Sequence, residues 1–108
     1  MRINTNDFIK MNSMETQFYI LLTLKTAKGL ESFAKFFIGN KRDRAIAIFQ
    51  KLEGTGEISE KNVLYIDFME TIDELPVNLN VISCTLNQLA ENCKLITKEL
   101  FMLKNLDE

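Results

Sequence analysis

This 108-residue chain predicts an α+β fold of two layers, a mostly antiparallel sheet with two helices on one face. Three observations predict it. Two segments, 40–52 and 85–106, carry apolar residues at spacings of three and four, the period of a helix with one buried stripe. Two others, 17–26 and 62–72, alternate in the two-residue period of a strand. A glycine-bounded, phenylalanine-rich segment lies between the first strand and the first helix. The order is β-β-α-β-(β)-α, and a sheet with both helices on one face buries both stripes. The alternative makes residues 30–38 helical and gives β-α-α-β-α.

Residues 1–15 read as a flexible N-terminal leader, rich in asparagine and without a sustained period. Residues 16–108 then form a single α+β domain. In the first strand, Gln17 to Thr26, Phe18, Ile20, Leu22 and Leu24 share one face. Tyr19, Leu21, Thr23 and Lys25 share the other, which suits a sheet whose second side is partly covered. Leu30 to Ile38 reads as the second strand, since it is short, aromatic-rich and lacks an N-cap. Ala27-Lys28-Gly29 forms the hairpin loop before it, with glycine at the positive-φ position.

Asn40 to Leu52 reads as a helix with Asn40 as N-cap, Ala45, Ile48, Phe49 and Leu52 as the buried stripe, and Gly54 at its C-terminal end. The third strand covers Asn62 to Ile72, with Leu64, Ile66 and Phe68 on one side. Asp73-Glu74-Leu75-Pro76 turns the chain, because proline cannot donate to a ladder. Asn80 to Ser83 makes a last short strand.

The closing helix is the best-signalled element. Thr85 with Gln88 three residues on is a capping box. Leu86, Leu89, Cys93, Ile96, Leu100 and Leu103 form its stripe, with Asn87, Glu91, Lys94 and Lys98 opposite.

Composition excludes several functions. The formal net charge is −2, from 13 basic and 15 acidic residues, and no long basic run stands out, so nucleic acid is not an expected partner. No window approaches 18 apolar residues, so no membrane span is expected, and the polar start lacks a signal-peptide core. Cys84 and Cys93 sit nine residues apart around one helix, about 13 Å at 1.5 Å per residue. That is too far for a disulfide, so reduced thiols and a cytoplasmic location are expected. There is no histidine, which removes Ser-His and Cys-His dyads and histidine zinc sites.

Candidate sites are few. Cys84 precedes a helix N-terminus, where the dipole favours a thiolate. Asn40, Lys41, Arg42 and Arg44 ring the start of the 40–52 helix, an arrangement that attracts anions. Asp67, Glu70, Asp73 and Glu74 form an acidic stretch without EF-hand spacing. Phe101, Met102 and Leu106 lie outside the stripe and make the end of the last helix apolar nearly all round, an interface signal. No metal or cofactor site is expected. The reading favours a small binding or assembly domain over an enzyme, partnered by a second copy in a homodimer or by another protein. Its competitors are a thiol-dependent enzyme using Cys84 and a small-anion binder at the 40–52 helix.

The capping box sets the first prediction. Thr85→Ala is expected to destabilise the fold by about 0.5–2 kcal/mol in urea unfolding, and Thr85→Ser by almost nothing, because serine keeps the capping hydroxyl. Equal losses from both would assign the effect to the threonine methyl.

Overall fold

The computed structural model describes residues 16–104; the expected leader and Leu106 lie outside them. The chain runs β1 (Gln17–Thr26), β2 (Gly29–Phe37), α1 (Arg42–Gln50), β3 (Leu64–Ile72), β4 (Leu75–Cys84) and α2 (Leu86–Leu103). The four strands form one antiparallel sheet in the order β2-β1-β3-β4. The predicted α+β class therefore holds, with residues 30–38 extended rather than helical.

The sheet is two hairpins joined along β1 and β3. That junction pairs Ile20 with Phe68, Leu22 with Ile66 and Leu24 with Leu64. Residues directly opposite each other point to one face, so these apolar side chains form a single patch. Both helices cover it. Ala45, Ile48 and Phe49 of α1 and Leu89 and Ile96 of α2 are buried with Phe18, Ile20, Leu22, Ile66 and Phe68. Phe68 lies between two aromatic neighbours, stacked on Phe49 at 5.0 Å between centroids and tilted against Phe18 at 6.0 Å.

The first hairpin turns through Ala27 and Lys28 into Gly29 at φ +118°, as the sequence implies. β1–β2 pairing runs on past β2. Ile38 donates to the Phe18 carbonyl at 2.9 Å, and Phe18 donates to the Gly39 carbonyl at 2.8 Å. This overturns the expected helix start. Residues 38 and 39 are still held against β1, and Gly39 reverses the chain at φ +97°. The N-cap is then Lys41, which makes no side-chain cap hydrogen bond, and Asn40 falls one residue too early.

Three further expectations are corrected. α1 ends at Gln50, so Gly54 is not its terminator. Gly54 instead lies so near β4 that a Cβ there would sit 2.6 Å from the Ser83 carbonyl oxygen. β4 has ten residues rather than the short strand expected from Asn80, because Asp73 and Glu74 alone make the turn, both at positive φ (+52° and +68°). Two left-handed residues in a two-residue hairpin match the twist of the flanking strands, at a cost near 1–2 kcal/mol for each non-glycine. Pro76 is paired with Thr71 inside β4, where an edge strand tolerates a missing N–H. Finally, Leu86 is not on the buried stripe of α2. It is the first helical residue and 71% exposed.

The capping box is present in both directions. Gln88 N–H donates to Thr85 Oγ1 at 3.1 Å, and Thr85 N–H donates to Gln88 Oε1 at 2.9 Å.

The connection from α1 to β3 is pinned at two points. Asn92, only 1% exposed in mid-α2, accepts from the Glu53 N–H and donates to the Glu53 carbonyl, each at 2.8 Å. Thr55 exchanges two backbone hydrogen bonds with Ser83, each at 2.9 Å. Asn92 thus serves as a one-residue strand partner, and Gly54 permits the close approach.

Removing that clamp leaves two backbone groups of Glu53 without their partner. Asn92→Ala is expected to cost about 1–3 kcal/mol in chemical unfolding. Asn92→Leu, similar in volume, is expected to lose as much. Full stability in the leucine variant would mean that filling the space matters and the hydrogen bonds do not.

Candidate functional site

The expected anion-binding residues separate into two groups. Arg42 is already engaged. One guanidinium nitrogen lies 3.1 Å from both carboxylate oxygens of Glu70, and the guanidinium carbon sits 5.5 Å from the centre of the Phe18 ring. Glu70 is buried on the helix-covered face, opposite Phe18 in the register. An unpaired carboxylate there would be costly, so Arg42 is a structural counter-ion.

Lys41 and Arg44 face a different environment. With Phe37, Ile38, Asn40, Leu100, Leu103 and Lys104 they line a groove of about 260 Å³ between the β2–α1 corner and the end of α2. Phe37, Ile38, Leu100 and Leu103 supply its apolar lining. Its charged lining residues, Lys41, Arg44 and Lys104, are all cations. Lys104 is 60 positions from Arg44 in the chain and belongs to the corner only because α2 ends there. No local motif announces it. As the C-cap residue of α2 it also sits favourably at the negative end of a helix dipole.

The acidic stretch does not converge. Glu70 is bound to Arg42 on one face, and Asp73 and Glu74 make the β3–β4 turn. Asp67 lies on the opposite face of the sheet, which carries no helix among the described residues. There a hydrogen-bonded chain crosses all four strands. Thr23 Oγ1 donates to Asp67 Oδ2 at 3.0 Å, and Asn78 Nδ2 donates to Asp67 Oδ1 at 3.0 Å. Ser32 Oγ lies 3.1 Å from Thr23 Oγ1. Thr23 has one hydroxyl proton, and the carboxylate takes it, so Ser32 is the donor to Thr23. Ser32, Thr23, Asp67 and Asn78 thus link β2, β1, β3 and β4 in turn. The relay ends in a carboxylate with no histidine to receive a proton, which suits cross-strand bracing better than acyl transfer. Next to it, Lys35 Nζ sits 4.7 Å from the centre of the Tyr19 ring.

Cys84 ends β4, opposite Leu64 in the register, and Cys93 lies on α2. Both are free thiols packed against the core. Burial pushes the Cys84 thiol above its ordinary pKa, and the nearby Cys93 thiol adds to the shift. Burial also raises Cys93. A nucleophilic cysteine needs the opposite shift, so the geometry works against a thiol enzyme.

The remaining candidates are apolar. Phe101 and Met102 are 38% and 53% exposed at the end of α2. Met102 lines a shallow groove of about 280 Å³ with Arg44, Ala47, Ile48, Glu99 and Leu103, where α2 lies alongside α1. A larger exposed set lies on β2, where Leu30 is 68% exposed, Phe33 50% and Phe37 57%. The sequence pattern marks these residues as a strand but not as its outer edge.

Among the described residues, no helix is long and apolar enough to cross a membrane, and no group of three His, Cys, Asp or Glu residues is placed to hold a metal ion. No family model matches the chain, and no curated protein or solved structure matches it at a significant level.

The raised thiol pKa yields a kinetic prediction. Near neutral pH, Cys84 in the folded protein is expected to react with a thiol-directed probe more slowly than the same residue in urea. The rate should climb with pH beyond the range of an ordinary thiol, since the neutral form persists to higher pH. Fast, saturable labelling at neutral pH would restore the enzyme reading.

Proposed function

We propose that this domain is a protein-binding and assembly module that pairs with a second copy of itself through the outer edge of β2. One observation carries the reading. Among the described residues, β2 is an edge strand that offers a row of backbone groups and three exposed large apolar side chains together. The register shift between Leu22 and Thr23 leaves Phe33 without a partner in β1, so its ring is available to a neighbour.

The opposite edge is differently built. β4 carries Pro76, Asn78 and Asn80, has its own register shift, and is bridged by Thr55 at Ser83. These are the devices by which edge strands avoid unwanted pairing. β2 has a bulge and Lys35 but keeps its aromatic surface. Antiparallel pairing of two β2 strands about a two-fold axis would join two sheets into one and cover Leu30, Phe33 and Phe37 in both copies. Burying each large side chain is worth about 1.5–3 kcal/mol. The end of α2, through Phe101 and Met102, is the alternative interface.

Light scattering after size-exclusion chromatography separates the two. The wild type is expected to be a dimer at tens of micromolar. Phe33→Lys is expected to give a folded monomer, checked by circular dichroism, while Phe101→Glu leaves the dimer intact. The reverse pattern would move the interface to α2, and a monomeric wild type would end the self-association reading.

A second reading, small-anion binding, is favoured by the three cations around the β2–α1 corner groove. Sulfate or phosphate at millimolar concentration is then expected to raise the melting temperature. The double variant Arg44→Ala, Lys104→Ala should lose most of that rise. Equal shifts in both proteins would reduce the effect to general salt.

A further inference from the structure

We draw no further inference here: the strongest candidate, the open groove of about 600 Å³ between the tip of the β1–β2 hairpin and the 58–60 loop, lined by Leu30, Ile58 and Tyr65, is an unpartnered apolar surface, and nothing in the structure shows what covers it.

Discussion

The pairing of β1 with β3 is the constraint on which the other contacts rest. Each hairpin, β1–β2 and β3–β4, closes through a short turn and is local in the chain. An isolated hairpin is marginal in water. The β1–β3 junction joins residues at least 40 positions apart and lines up Ile20, Leu22, Ile66 and Phe68 as one apolar floor. Without that floor neither helix has a surface for its stripe. The connection from β2 to β3 must pass over β1, and α1 lies along that path. The helix is therefore both a link and a lid on the junction it spans.

Three polar arrangements then hold what hydrophobic burial leaves loosely specified. The Arg42–Glu70 pair ties the start of α1 to β3. Lys51 and Glu99, 3.0 Å apart, tie the end of α1 to α2. Asn92 fixes the segment beyond α1 through the backbone of Glu53. They differ in weight. Lys51 is half exposed, and water screens such a pair to well under about 1 kcal/mol. Glu70 and Asn92 are buried, so losing a partner would leave them or their backbone contacts unsatisfied. The geometry of the 51–63 connection thus depends on one asparagine more than on the visible surface salt bridge.

The two sheet edges offer different surfaces to a neighbouring strand. Proline, two asparagines, a bulge and the Thr55 bridge hinder further pairing at β4, although Leu75 and Val77 are exposed there. β2 presents Leu30, Phe33 and Phe37 to the surroundings. An edge strand with aromatic exposure carries an aggregation risk that a monomer gains nothing by keeping. The proposed pairing with a second copy would remove that risk and use the surface. The sheet face that carries no helix among the described residues contrasts with both edges, because Ser32, Thr23, Asp67 and Asn78 are hydrogen-bonded to one another across it.

Local signals were legible wherever the physics is local. The Thr85–Gln88 capping box, the two-period face of Phe18, Ile20 and Leu22, and the stripe of Ala45, Ile48 and Phe49 all depend on neighbours within one turn or one strand. Glycine bounds and aromatic content sufficed to make residues 30–38 extended. The misreadings arose where distant chain intervenes. Asn40 has the chemistry of an N-cap, but pairing of residues 38 and 39 with β1 delays the helix. Pro76 resembles a strand stop, but an edge position makes it tolerable. Nothing local in the sequence marks Asn92, whose role appears only where Glu53 lies against it. The candidate sites divide in the same way. Lys41 and Arg44 stand out in the sequence, but Lys104 joins them, and Glu70 removes Arg42, only in three dimensions. Sequence by itself determined the elements and the α+β class, because periodicity and capping are encoded by adjacent residues. Tertiary structure alone decided which strand became the open edge and which charges converge, because both depend on contacts between residues far apart in the chain.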